Sequence, residues 1–126
     1  MATVATESPV PSHAQYGECR HISWTLTNGQ TGDAVQFTEF FDKCVQFSGT
    51  FGAGGTIRLE GSNELTNPST FHVLTDVNGN TISVTAAGLY QAVETPMWIR
   101  PSVTAGDGTT SITAQIVARR GRERSY

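Results

Sequence analysis

The residues of this chain able to do chemistry are few and scattered. Asp33, Asp76 and Asp107 could share acid–base work only if the fold brought two of them together. Each lies in a turn-forming string, TGDA, LTDVN or AGDGT, where an aspartate ordinarily accepts hydrogen bonds from its own local backbone. DVNGN has the outline of a calcium loop in Asp76, Asn78 and Asn80, but the further carboxylates and the closing glutamate are missing. His13, His21 and His72 are spread over an N-terminal segment and two strand-like runs, and no nucleophile-elbow sequence accompanies them. Cys19 and Cys44 show no CxxC or Cys/His ligand spacing, which argues against structural zinc. Cys44, in KCVQFSG, reads as a small buried apolar residue, and nothing points to a disulfide-forming compartment. FGAGG at 51–55 is followed by neither a Lys-Ser/Thr pair nor a helix, so it reads as a tight turn or close backbone approach rather than a phosphate loop. The expectation is a protein that is not an enzyme and uses no cofactor or metal.

Any such residues must be positioned by strands. The 126 residues, the size of one ordinary domain, include 18 threonines, 10 serines and 13 glycines but a single lysine, Lys43. Only 15% are charged, against about a quarter in most globular domains. A helical bundle needs Ala, Leu, Glu and Lys in quantity, whereas Thr, Val, Phe and Gly suit short strands and tight turns. In HISWTL, Ile22, Trp24 and Leu26 alternate with Ser23 and Thr25, the period of a half-buried strand. Further runs follow at Val35 to Phe41, where Phe40 and Phe41 break the alternation and predict a bulge, and at Cys44 to Phe51 and TIRLEGS. In TIRLEGS, Ile57 and Leu59 point one way and Arg58 and Glu60 the other. Phe71 to Leu74 and Thr81 to Thr85 flank an Asn78-Gly79 hairpin, and Gly88 to Val93, Trp98 to Ala105 and Ser111 to Arg119 complete the set. About eight short strands at this spacing predict a small all-β domain, a β-sandwich or small barrel, over residues 18–120.

Residues 1–17, with Pro9 and Pro11 among small polar neighbours, read as an extended arm, and 121–126 as a basic tail. From Arg119 onward four arginines face one glutamate, while the preceding body carries ten acidic side chains against four basic ones. An acidic body repels a nucleic-acid backbone, so no nucleic-acid partner is expected. No run approaches the roughly 18 apolar residues of a membrane span, and the N-terminus lacks a signal-peptide pattern, so no membrane partner is expected and the chain is read as made in the cytoplasm. Trp24 falls on the apolar side of its strand. Trp98, between Pro96 and Pro101 in PMWIRP, is placed on a sheet edge or bulge, packed inward or touching a neighbour, with Arg100 on the opposite face and paired to an acid.

The strings WTLTNGQTGD at 24–33, VQFSGTFGAGGTIRLEGSNE at 45–64, HVLTDVNGNTISVTAAGLYQAVE at 72–94 and MWIRPSVTAGDGTTSITAQIVARR at 97–120 resemble a family of small proteins encoded by tailed bacteriophages and prophages, often beside capsid genes. Cys44 departs from the family, which more often has Thr or Val there. The resemblance implies a head decoration (cement) protein, a jelly-roll-like trimer on the outer surface of the phage head whose partner is the major capsid protein. It carries over no catalytic residues. Extended termini suit such work, since an arm covers a large area with few residues. Val4, Pro9, Val10, Pro11 and Tyr16 in the arm, with Trp98 and Arg100, are the candidate assembly contacts. A neck, tail or fibre-associated domain, or a glycan or host-surface module using Trp24, Tyr90 or Trp98, is the alternative.

Overall fold

A computed structural model describes residues 2–3, 5–8, 19–38 and 40–120. Among them twelve strands form two sheets, and the class is the expected all-β sandwich. The five-stranded sheet runs in the order β10 (Gly88–Ala92), β6 (Phe40–Thr50), β12 (Ser111–Arg120), β3 (Cys19–Thr27), β2 (Thr6–Ser8), with every neighbouring pair antiparallel. Its inner face follows the period of two read from the sequence: Ile22, Trp24 and Leu26 on β3, Val45 and Phe47 on β6, and Ile112, Ala114, Ile116 and Ala118 on β12 are all buried. The central strand carries alternating Ile and Ala. In register, Ala114 lies between Trp24 on one side and Phe47 on the other, so a small residue leaves room for two large rings.

The seven-stranded sheet runs β1 (Ala2–Thr3), β4 (Thr31–Gly32), β11 (Trp98–Ala105), β7 (Thr56–Ser62), β8 (His72–Val73), with β5 (Val35–Gln36) also on β11 and β9 (Ser83–Val84) also on β7. Ile57, Leu59, Ile99 and Val103 close the core from this side. Gly32 permits the join between the sheets: a Cβ there would stand 2.6 Å from Trp24 Cδ1 and 2.8 Å from Pro101 Cδ.

Three expectations are corrected. First, the proline-flanked segment is no sheet edge. β11 is interior, and Pro101 falls between the stretch paired to β5 (Trp98 and Ile99) and the residue paired to β4 (Ser102). A missing N–H costs little in that gap, and the expected irregularity appears just beyond it, between Val103 and Ala105. Second, the strands flanking DVNGN both lie along β7. The chain runs beside it to Leu74, leaves as a short hairpin bridged at Thr75 and Thr81, and returns at Ile82 to the same Leu59. Third, the start of the arm belongs to the sandwich: β1 pairs with β4 in parallel, and β2 pairs with β3. Val4, Pro9, Val10, Pro11, His13, Tyr16 and the tail 121–126 lie outside the described residues.

Candidate functional site

Two of the candidate contacts meet on the outer face of the seven-stranded sheet. Trp98 and Arg100, two residues apart on one strand, share a face instead of opposing each other, and both point away from the core. Neither packs inward, which was one of the two placements expected for Trp98. Across the ladder Arg100 stands opposite Glu60, and Arg58 is diagonal to it. Arg100 Nε donates to Glu60 Oε1 at 2.9 Å, and Arg58 Nε donates to Oε2 of the same carboxylate. Glu60 is thereby only 2% exposed although it lies on an outer face. The Arg100 guanidinium stacks on Phe71, 3.7 Å from the ring centroid, which fixes its plane. The acidic partner expected for Arg100 is therefore Glu60.

The 63–70 loop is fastened beside this cluster. Trp98 Nε1 donates to the Glu64 carbonyl at 2.8 Å, and Asn63 Oδ1 accepts from Met97 N at 2.9 Å. The Glu64 carboxylate accepts the Thr70 and Ser69 amides, which hold it below the usual carboxylate range. The next residue, Leu65, is 76% exposed. The face thus combines two arginines, a half-buried tryptophan, a phenylalanine and a protruding leucine, side chains enriched where proteins bind one another tightly in the case of Trp and Arg.

The outer face of the five-stranded sheet is different. A shallow trough of about 410 Å³ lies over β10, β6, β12 and β3, lined among others by Gln46, Gln91, Gln115, His21, Cys44 and Val117. Cys44 alternates with the inward Val45 and is half-buried in this trough, correcting its expected place in the core; the buried cysteine is Cys19, and both are free. His21 Nε2 is 3.1 Å from Gln115 Oε1, and among the described residues its buried Nδ1 has no hydrogen-bond partner.

Two of the three candidate aspartates, Asp76 and Asp107, do turn chemistry. Asp76 Oδ1 accepts the Asn78 and Asn80 amides, and Asp107 accepts the Ala53 and Thr109 amides and the Thr109 hydroxyl. Asp107 so clamps the glycine-rich turn, where Gly52 and Gly54 take φ of +74° and +69°, to the GDGTT turn. Trp24 is buried and donates to the Asp33 carbonyl, Tyr90 packs on Phe47, and Trp98 is on the other sheet, so the three aromatics of a glycan platform do not share a face. Among the described residues no three His, Cys, Asp or Glu side chains are grouped to hold a metal. Arg58, Glu60 and Phe71 were not singled out from sequence. The alternation in TIRLEGS puts Arg58 and Glu60 outward, but their meeting with Arg100 depends on the β7–β11 register.

No protein-family model matches the chain, and no curated protein matches it in sequence. Solved structures share its fold. The SPBc2 prophage-derived protein YomS superposes with a TM-score of 0.59 at 15% identity, covering 79% of this chain and 93% of that one. A cupin domain from Bordetella pertussis Tohama I superposes with a TM-score of 0.51 at 12% identity, covering 95% of each chain. At such identities the likeness establishes a jelly-roll-like β-sandwich fold.

Proposed function

We propose that this chain is a non-enzymatic virion structural protein of a tailed phage or prophage that binds the outside of the mature head and stabilises it, as a trimer. The observation that carries the reading is the fold shared with a prophage-derived protein across nearly the whole of that chain, alongside the motif resemblance at 24–120. Physically, such a protein adds binding free energy to the expanded lattice alone, and three linked copies engaging three capsid subunits gain effective concentration. The Trp98–Arg100 face offers the surface for it. The test is cryo-electron microscopy of the particle whose genome encodes the chain. Density for the sandwich in threes over the head is expected. Density at the neck or tail alone would move the protein to those parts, and absence from the particle would refute the virion role.

A further inference from the structure

We infer that Arg58 and Arg100 form a carboxylate-binding fork whose occupant is an aspartate or glutamate side chain of a partner protein. The binding chemistry stands on these residues alone, while the identity of that partner as a head protein rests on the function proposed above. Both guanidiniums are attached to Glu60 through Nε. Among the described residues their Nη atoms have no hydrogen-bond partner, and the side chains are 40% and 29% exposed. Two cations therefore share one buried anion, and the Nη groups of both part-exposed guanidiniums remain to donate, while the nearby Glu64 carboxylate is occupied by the Ser69 and Thr70 amides. Guanidinium N–H groups are the donors a carboxylate accepts in bidentate fashion. Little ordering remains to be done on binding, because Glu60 fixes both guanidiniums, Phe71 fixes the plane of Arg100, and the Glu64 carbonyl fixes Trp98 beside them. Two arginines on one shared carboxylate leave the cluster itself short of a second carboxylate. The acidic body disfavours a polyanion such as a nucleic-acid backbone.

The test is an NMR titration of the full chain with sodium acetate, sodium phosphate and sodium chloride at matched ionic strength. It follows the Arg58 and Arg100 Nε–H signals and the Trp98 indole signal. Acetate is expected to shift them saturably, with a dissociation constant of about 10–100 mM for one charge-assisted contact. The double variant R58K/R100K, which keeps the charge and loses the fork, should weaken acetate binding about tenfold with its ladder amides unmoved. Acetate shifts no different from those of chloride, an unchanged response in R58K/R100K, or phosphate binding tighter than acetate would each overturn the inference. Acetate binding by a protein absent from phage heads would uphold the fork and overturn the proposed function alone.

Discussion

Replacing Glu7 by Gln tests what holds the N-terminal strand to the sandwich. β2 contributes three ladder residues, paired with Ser23, Ile22 and His21. Ladder hydrogen bonds are worth about 0.5–1.5 kcal/mol each, while fixing a residue's backbone costs about 1–2 kcal/mol, so pairing alone comes close to zero. The side chain of Glu7 decides the balance. Arg20 Nε and Nη2 both donate to its carboxylate at 2.9 Å, Nη1 donates to the Gln36 carbonyl at 2.8 Å, and the guanidinium stands over the Phe37 and Phe40 rings. Without Glu7, Arg20 is thus held by three contacts, the Gln36 carbonyl and the two rings, and Glu7 docks β2 onto a group already in place. Because the Glu7 side chain is half exposed, solvent limits the pair to about 0.5–1 kcal/mol in spite of its two bonds.

The assay is amide hydrogen exchange at Thr6 and Ser8, expressed as protection factors. At pH 7 Glu7→Gln should lower protection about two- to fivefold, the equivalent of that energy. The hydrogen bonds from Arg20, against a smaller desolvation effect, hold the Glu7 pKa below its ordinary value. A carboxylate with a depressed folded pKa contributes fully above the ordinary glutamate value of about 4.3 and loses that contribution as pH falls through the folded one. Wild type and variant should therefore differ at pH 7 and converge on acidification. An equal difference at pH 7 and at about pH 2, or none at either, would refute the pairing argument. The outcome also bears on the arm. Removing residues 1–17 takes a strand from each sheet and bares β3 and β4, so a loss of partner binding in that deletion would not by itself locate a strap.

Three further outcomes are expected. Ala114→Leu forces extra methylenes between Trp24 and Phe47 and should cost about 1–3 kcal/mol by urea denaturation, with a shift in tryptophan emission as the Trp24 environment changes. Asp107→Asn should speed amide exchange at Ala53 and Thr109 together; since the Thr109 hydroxyl and the Ala53 and Thr109 amides hold the aspartate down to about 2, wild type should keep this protection until pH falls towards that value. Burial pushes the pKa of Lys43 down, with Asp42 pulling it up, so the folded state releases its proton first and stability should rise with pH on the alkaline side of neutrality; Lys43→Met should flatten that rise in pH-dependent denaturation.

What could be read from the sequence followed from local rules, and what could not depended on register. The inward set on β3 and β12 was legible because period-two alternation over nine and ten residues leaves one solution for which face is apolar. The Asn28-Gly29 and Asn78-Gly79 reversals were legible because glycine supplies the positive φ they need, +78° and +86°. β1 and β4 were not, since a two-residue ladder has no periodicity and exists only because a longer neighbour pairs with it; β5, β8 and β9 were legible as strand-like runs but not in their short extent. The prolines flanking Trp98 suggest an edge, whereas the strand's own alternation sets Trp98 and Arg100 together on the outer side. The Arg58–Glu60–Arg100 cluster needs Arg100 to lie opposite Glu60, and nothing local in MWIRP or TIRLEG specifies that.

The same register argues for how this sandwich meets a neighbour. Each sheet ends in short strands, β1 and β8 at two residues, β2 at three and β10 at five. Such edges offer few unpaired backbone groups in a row, so edge-to-edge addition of another chain gains little. Association then falls to the faces and loops. Of the two faces, the five-stranded one mixes Gln46, Gln91 and Gln115 with Asp42, Arg119 and the exposed Leu89, and covering its neutral amides exchanges one set of hydrogen bonds for another. The seven-stranded one presents an arginine pair sharing one buried carboxylate, with Trp98 and Leu65 beside it, where a partner carboxylate and an apolar contact can both be gained at once. A trimer on a lattice whose contacts run through that face predicts that Trp98→Ala lowers head occupancy more than Leu89→Ala on the opposite sheet. Equal losses, measured by copy number per particle, would put the contact elsewhere.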